Sequence, residues 1–240
     1  MPGPSRRALF TALPVALPLA LAAAPARAYY TAAPDVVLYT TQETLEAGQA
    51  LGRAFTAAHD VPVRVFGGSA QGQLALIALV ARCDLILAPV ATLDPAKRRG
   101  AWRNLVVIAG REGTAVQELS PAALGAALGD GALALPDPTE LAAFDARAVL
   151  GDAMPARTIG GATGADAAFL VASGAARLGV MMEADRVAAG LQTVFSTAAA
   201  PLVYAMAPGA NAASRYWPAF LDFAAGPEAA PIMRKAGLRA

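Results

Sequence analysis

Short apolar runs alternate with stretches of helical spacing along this chain, and that alternation limits its fold more than any other feature. Val36-Val37-Leu38-Tyr39 reads as a buried strand. Leu45, Gly48, Leu51, Phe55 and Ala58 then recur at the spacing of one helix face. Val61 to Phe66 alternates as a second strand and ends at Gly67-Gly68. Leu74, Ile77, Ala78 and Ala81 mark a second helix, and further strands are expected at 84–88, 105–109, 132–135, 178–182, 191–195 and 202–206. Ser120-Pro121 is a helix start, and Asp137-Pro138-Thr139-Glu140 has the pattern of a capping box. Two helices close the chain, the second starting at Pro227 and stopped by Gly237. The expected class is α/β with largely parallel sheets. In such sheets ligands sit beyond the carboxyl ends of the strands, where helix N-termini point free N–H groups.

The start of the chain predicts export. Arg6 and Arg7 precede an apolar run from Ala8 to Pro25, which ends in Ala26-Arg27-Ala28, the layout of a cleavable signal peptide. The run is rich in alanine, holds Pro14 and Pro18, and falls short of the roughly 20 strongly apolar residues of a membrane span. Cleavage is expected after Ala28, and Ser5-Arg6-Arg7-Ala8-Leu9-Phe10 is also similar to a twin-arginine signal. Without residues 1–28 the chain has 16 basic and 18 acidic residues, a net charge of −2, which gives no footprint for nucleic acid. A lone cysteine, Cys83, excludes an internal disulfide and reads as a buried, inert thiol. A lone histidine, His59, excludes a multi-histidine metal site.

Five segments, taken in order, resemble the periplasmic molybdate-binding proteins. Leu38-Tyr39-Thr40-Thr41-Gln42-Glu43 resembles that family's first strand and ligand loop, and Phe66-Gly67-Gly68-Ser69-Ala70-Gln71-Gly72-Gln73-Leu74 its second ligand loop. Cys83-Asp84-Leu85-Ile86-Leu87-Ala88 looks like the family's aspartate-led strand, and Ala134-Leu135-Pro136-Asp137-Pro138-Thr139 like the Asp-Pro turn of its second lobe. The stretch from Phe220 to Leu238 is similar to its closing motif.

The resemblance implies a two-lobed type II periplasmic binding protein fold with a hinge between the lobes. The expected division is a signal peptide at 1–28, lobe I at 29–109 plus 198–240, and lobe II at 110–197. It further implies a monomeric periplasmic protein, without cofactor or metal, that closes on a tetrahedral oxyanion such as molybdate or tungstate and serves the permease of an ABC transporter. The expected ligand residues are Thr41, Ser69, Ala70, Thr139 and Met182. Partial positive charge and aimed N–H groups at helix N-termini suit an anion without a full counter-charge.

This sequence departs from the family pattern at three places. Glu43 stands where the family has its first ligand serine, Thr139-Glu140-Leu141 lacks the usual Pro-Ala-Gly, and Met182 replaces a ligand tyrosine. Each candidate also has a purely structural role open to it. Ser69 and Thr139 fit as N-caps, Met182 fits as core at a strand end, and Glu43 fits as the closing residue of a capping box on Thr40. The same fold with a diverged pocket, binding another solute or reporting to a sensor, is therefore the alternative. Catalysis is not expected: Ser69 lacks the glycine of a Gly-x-Ser-x-Gly elbow, and His59 falls at the far end of the sheet.

Overall fold

The structure, a computed structural model, describes residues 35–68, 82–112, 116–137 and 145–240. The expected signal peptide, the helix at 74–81 and the capping box at Asp137-Pro138-Thr139-Glu140 lie wholly or partly outside those residues. Eleven strands among the described residues form two sheets.

In the first sheet, β1 (Val36–Thr41) lies between β2 (Val63–Gly68) and β3 (Leu85–Pro89), parallel to both. Next to β3 runs β11 (Leu202–Pro208), antiparallel, and β4 (Arg99–Asn104) closes the edge. The second sheet has the order β6, β10, β5, β9, β7, β8. These are β5 (Val106–Gly110), β6 (Gln117–Glu118), β7 (Leu133–Pro136), β8 (Thr158–Gly161), β9 (Leu178–Met182) and β10 (Gln192–Ser196).

Two segments join the sheets: Leu105, between β4 and β5, and residues 197–201, between β10 and β11. Thr197 donates its hydroxyl to the Val106 carbonyl at 2.8 Å and ties the two crossings together. The sequence division at 109 is corrected here. β5 pairs with β9 and β10, so the strand at 106–110 belongs to the second sheet.

Helix α1 (Leu45–His59) packs on the first sheet through Ala47, Gly48, Leu51, Gly52 and Phe55, one face of a helix. The rings of Phe55 and Phe220 meet edge to face, 4.9 Å apart. Phe220 lies on α6 (Trp217–Ala225), and α7 (Ala229–Lys235) completes this layer with Met233. Beyond α7 the chain pairs back onto β4, with Arg239 and Arg103 exchanging backbone hydrogen bonds.

In the second sheet, α2 (Pro121–Leu128) and α3 (Ala146–Leu150) cover one face through Leu124, Leu128 and Leu150. Helix α4 (Gly164–Ala172) covers the other with Ala167, Ala168 and Val171. A short helix, α5 (Glu183–Ala188), follows β9. The expected start of α2 holds: Ser120 accepts the Ala123 N–H at 3.2 Å, with proline inside the first turn. Replacing Ser120 by alanine should cost about 1 kcal/mol, the usual worth of an N-cap, read as a lower urea midpoint at unchanged slope.

Cys83 is fully buried, and burial, with the nearby Asp84 charge, pushes its thiol up to about 12. A thiolate is then scarce near neutral pH, which fits the expected inert role.

Candidate functional site

The carboxyl end of β1 opens the site on the first lobe. Thr41 is the N-cap of a 3-10 turn, Gln42–Thr44, which runs into α1. Three buried threonines fix that turn. Thr40 and Thr44 pair through their hydroxyls, Thr41 Oγ1 lies 3.0 Å from Thr44 Oγ1, and Thr44 donates to the Thr41 carbonyl at 3.2 Å. The Thr41 hydroxyl is thus engaged inside the lobe, at 2% exposure. What Thr41 places at the carboxyl end of β1 is the start of the turn, whose first N–H groups have no acceptor within the turn.

Glu43 does not close a capping box. The turn begins one residue later than a Thr40 cap requires, so Glu43 is the second residue of the turn, and no side-chain cap bond forms. Its carboxylate instead accepts the Tyr204 hydroxyl at 2.6 Å, from β11. Tyr204 is fully buried, and burial first, then the Glu43 charge, holds its pKa well above the ordinary value. It therefore stays a donor. Tyr204→Phe leaves the carboxylate without this donor and should lower stability by about 1.5–3 kcal/mol, the range for a hydrogen bond to a charged group, measured by urea unfolding at pH 7.

Helix α4 opens the site on the second lobe. Thr163 and Asp166 form a capping box: Thr163 Oγ1 accepts the Asp166 N–H at 3.1 Å and Asp166 Oδ2 accepts the Thr163 N–H at 2.9 Å. The N–H groups of Gly164 and Ala165, ahead of Asp166, have no acceptor within the helix. The turn Gln42–Thr44 contacts both α4 and α5, so the two lobes meet at this point.

Helix α5 is held differently. Its Glu183 N–H donates to the Leu105 carbonyl at 2.7 Å, and its Ala184 N–H to Asn104 Oδ1 at 3.1 Å. The crossing between the sheets thus takes up these N–H groups. Met182 ends β9 beside the same crossing. Its side chain is fully buried and packs in the core of the second lobe with Val106, Ile108 and Val180. The alternation along β9 puts Val180 and Met182 on one face, in that core, and Met181 on the other.

Asp185 is the most perturbed carboxyl here. It is 4% exposed, and burial first, then the Glu43 charge across the lobes, raises its pKa to about 7. The Met182 backbone opposes that rise through a hydrogen bond. Asp185 Oδ2 has no hydrogen-bond partner among the described residues and lies against Gly164. A Cβ at Gly164 would overlap that oxygen, so the close approach requires glycine.

A separate cavity of about 560 Å³ opens at the carboxyl ends of β7 and β8, lined among others by Pro136, Asp145, Arg147, Gly161 and Ala162. That volume suits a small ligand.

Of the expected ligand residues, Ser69, Ala70 and Thr139 lie outside the described residues, Thr41 begins the turn at the site, and the Met182 side chain packs in the core of the second sheet. Sequence reasoning missed Thr163, Asp166 and Tyr204. A Thr-x-x-Asp pattern ahead of an apolar run was the available signal for the first two. No local pattern ties Tyr204 to Glu43, 161 residues away. Among the described residues, no group of three or more histidine, cysteine, aspartate or glutamate side chains could hold a metal ion. No described helix is long and apolar enough to cross a membrane.

Residues 36–239 match the family described as bacterial extracellular solute-binding protein. Among solved structures, the chain is similar to the periplasmic molybdate-binding protein of Azotobacter vinelandii, with a TM-score of 0.68 at 19% identity over 86% of this chain and 99% of that one. It is also similar to the sulfate-binding protein SubI of Mycobacterium tuberculosis, with a TM-score of 0.65 at 16% identity over 86% and 87%. A third likeness is to a substrate-binding protein of Clostridium perfringens with bound phosphate, with a TM-score of 0.59 at 12% identity over 85% and 98%. At these identities the likeness is one of fold. No curated protein matches the chain in sequence. The family and these neighbours are solute-binding proteins and not enzymes.

Proposed function

The chain belongs to the bacterial extracellular solute-binding protein family, and from that premise we propose that it captures a small oxyanion between its lobes and delivers it to the permease of an ABC importer in the periplasm. The observation that carries this reading is the meeting of two N-termini across the lobe boundary. The turn after β1 brings N–H groups without an acceptor in the turn from lobe I, and the first turn of α4 brings them from lobe II. Together they form an anion site made of neutral donors. In this reading Thr41 shapes the first turn, and the sequence positions Ser69, Ala70 and Thr139 supply further donors. The solved neighbours are named for molybdate and sulfate, or hold phosphate. Molybdate or tungstate is the proposed solute.

One observation favours a second reading. Glu43 and Asp185 both flank the meeting point, and two carboxyls suit a cationic or neutral solute better than a dianion. Native mass spectrometry of protein purified without added solute separates the two. A retained inorganic oxyanion supports the first reading. A retained amine, sugar or other uncharged organic solute means that the pocket has diverged.

A further inference from the structure

Three observations converge on Asp185. Its Oδ2 is buried and has no partner among the described residues. It lies against Gly164, the first residue of the nine-residue helix α4. The lobe I turn that carries Glu43 contacts α4 and α5 at the same place. A buried carboxylate oxygen without a donor is costly to keep, so the group is built to meet one.

Among the described residues, the charged groups around Asp185 give it no ion pair. From lobe I it faces Glu43 and Tyr204, which are hydrogen-bonded to each other. From α4 it faces Asp166, which accepts from Thr163. On its own helix, Glu183 is paired with Arg186 at 2.9 Å, and Arg186 also donates to the Leu191 carbonyl at 2.6 Å. No described cation faces Asp185, so among the described residues it has no counter-charge, and a proton neutralises it.

We propose that Asp185 makes solute capture proton-linked: one proton is held between Asp185 Oδ2 and an oxygen of the bound anion. The inference rests on the oxyanion reading above. For a fully deprotonated anion such as sulfate or molybdate, solvent supplies the proton, Asp185 becomes a carboxylic acid, and its O–H donates to the anion. The anion keeps its charge, and one buried negative charge disappears. For hydrogen phosphate the solute brings the proton, and its own O–H donates to the Asp185 carboxylate. Both routes give the unpartnered oxygen its hydrogen bond and relieve the repulsion between carboxylate and anion.

Calorimetry on protein stripped of solute tests this, in buffers of different ionisation enthalpy at pH 8. Sulfate and molybdate should each bind with uptake of close to one proton, and their affinity should fall about tenfold per pH unit above pH 7. Phosphate should bind with little uptake. Asp185→Asn should abolish proton uptake and flatten the pH dependence. Glu43→Gln keeps Asp185 in place and should move the pH of falling affinity downward, and an unmoved midpoint contradicts the proposal. Sulfate or molybdate binding without proton uptake overturns the proposal and leaves the oxyanion reading standing. No heat with any of the three anions overturns the oxyanion reading itself.

Discussion

Asp84→Ala is expected to lower the free energy of unfolding by about 3–5 kcal/mol, the cost of breaking a buried, hydrogen-bonded ion pair from one side. Asp84 is fully buried at the start of β3. Its Oδ2 accepts the Val37 N–H at 2.8 Å and an Arg82 N–H at 2.7 Å. Its Oδ1 accepts the N–H groups of Ala213 at 2.6 Å and Ser214 at 2.8 Å. One carboxylate therefore joins β1, the Arg82 side chain and the loop after β11. Truncation strands three backbone donors and leaves Arg82, whose side chain is 7% exposed, with only Asp35 as an acid partner. Typical domains have about 5–15 kcal/mol in total, so the loss is a large share of it. Urea unfolding gives the value. Asp84→Asn keeps the shape and part of the acceptance, so it should lose less. Equal losses for both variants would mean that the charge, and not the hydrogen bonds, holds this junction.

Asp185→Asn is expected to make the protein more stable at pH 8 by up to about 4 kcal/mol and to leave it nearly unchanged at pH 4. The folded protein raises the Asp185 pKa from 3.8 to about 7, through burial first and the Glu43 charge second. Below pH 4 both folded and unfolded chains carry the proton, and the shift has no effect on stability. Between about pH 4 and 7 the folded chain keeps a proton that the unfolded chain loses, so stability falls as pH rises, by about 1.4 kcal/mol per pH unit. Above pH 7 the whole cost is present. Asparagine never ionises and keeps an oxygen for the Met182 N–H, so it removes that cost. The check is the difference in unfolding free energy between variant and parent at pH 4, 6 and 8. A difference that stays flat with pH would show that Asp185 does not titrate as its burial and the Glu43 charge require.

The parts of the fold that could be read from the sequence are those where burial is written into a short window. The run Leu178-Gly179-Val180-Met181-Met182 is β9, buried at every position. The apolar runs at β1, β3, β7 and β11 end within one or two residues of the strand bounds. β4 was not found. Its sequence Arg99-Gly100-Ala101-Trp102-Arg103-Asn104 is mostly exposed, and its pairing with β11 holds it in place. β8, Thr158-Ile159-Gly160-Gly161, carries too little apolar surface to stand out. The lobe boundary was misplaced for a related reason. β5 reads as a strand, but which sheet it joins depends on pairing with β9 and β10, and no local spacing encodes that.

The site follows the same division. The helix N-termini at the carboxyl ends of strands were foreseeable from the α/β alternation. The partners of Glu43 and Asp185 were not, because they come from the other end of the chain or from the other lobe. Glu43 turned on a one-residue difference in where the turn begins.

The central claim, that the chain holds a small oxyanion between its lobes, is tested most directly by calorimetry at pH 7 with molybdate, tungstate, sulfate and phosphate on protein stripped of solute. One site per chain is expected for at least one of these anions. Its affinity should weaken about tenfold or more when Ser69 is replaced by alanine, the loss of about 1.4 kcal/mol of hydrogen bonding to a charged ligand. A folded, solute-free protein that gives no heat with any of the four anions, yet binds a cationic or uncharged solute, would contradict it.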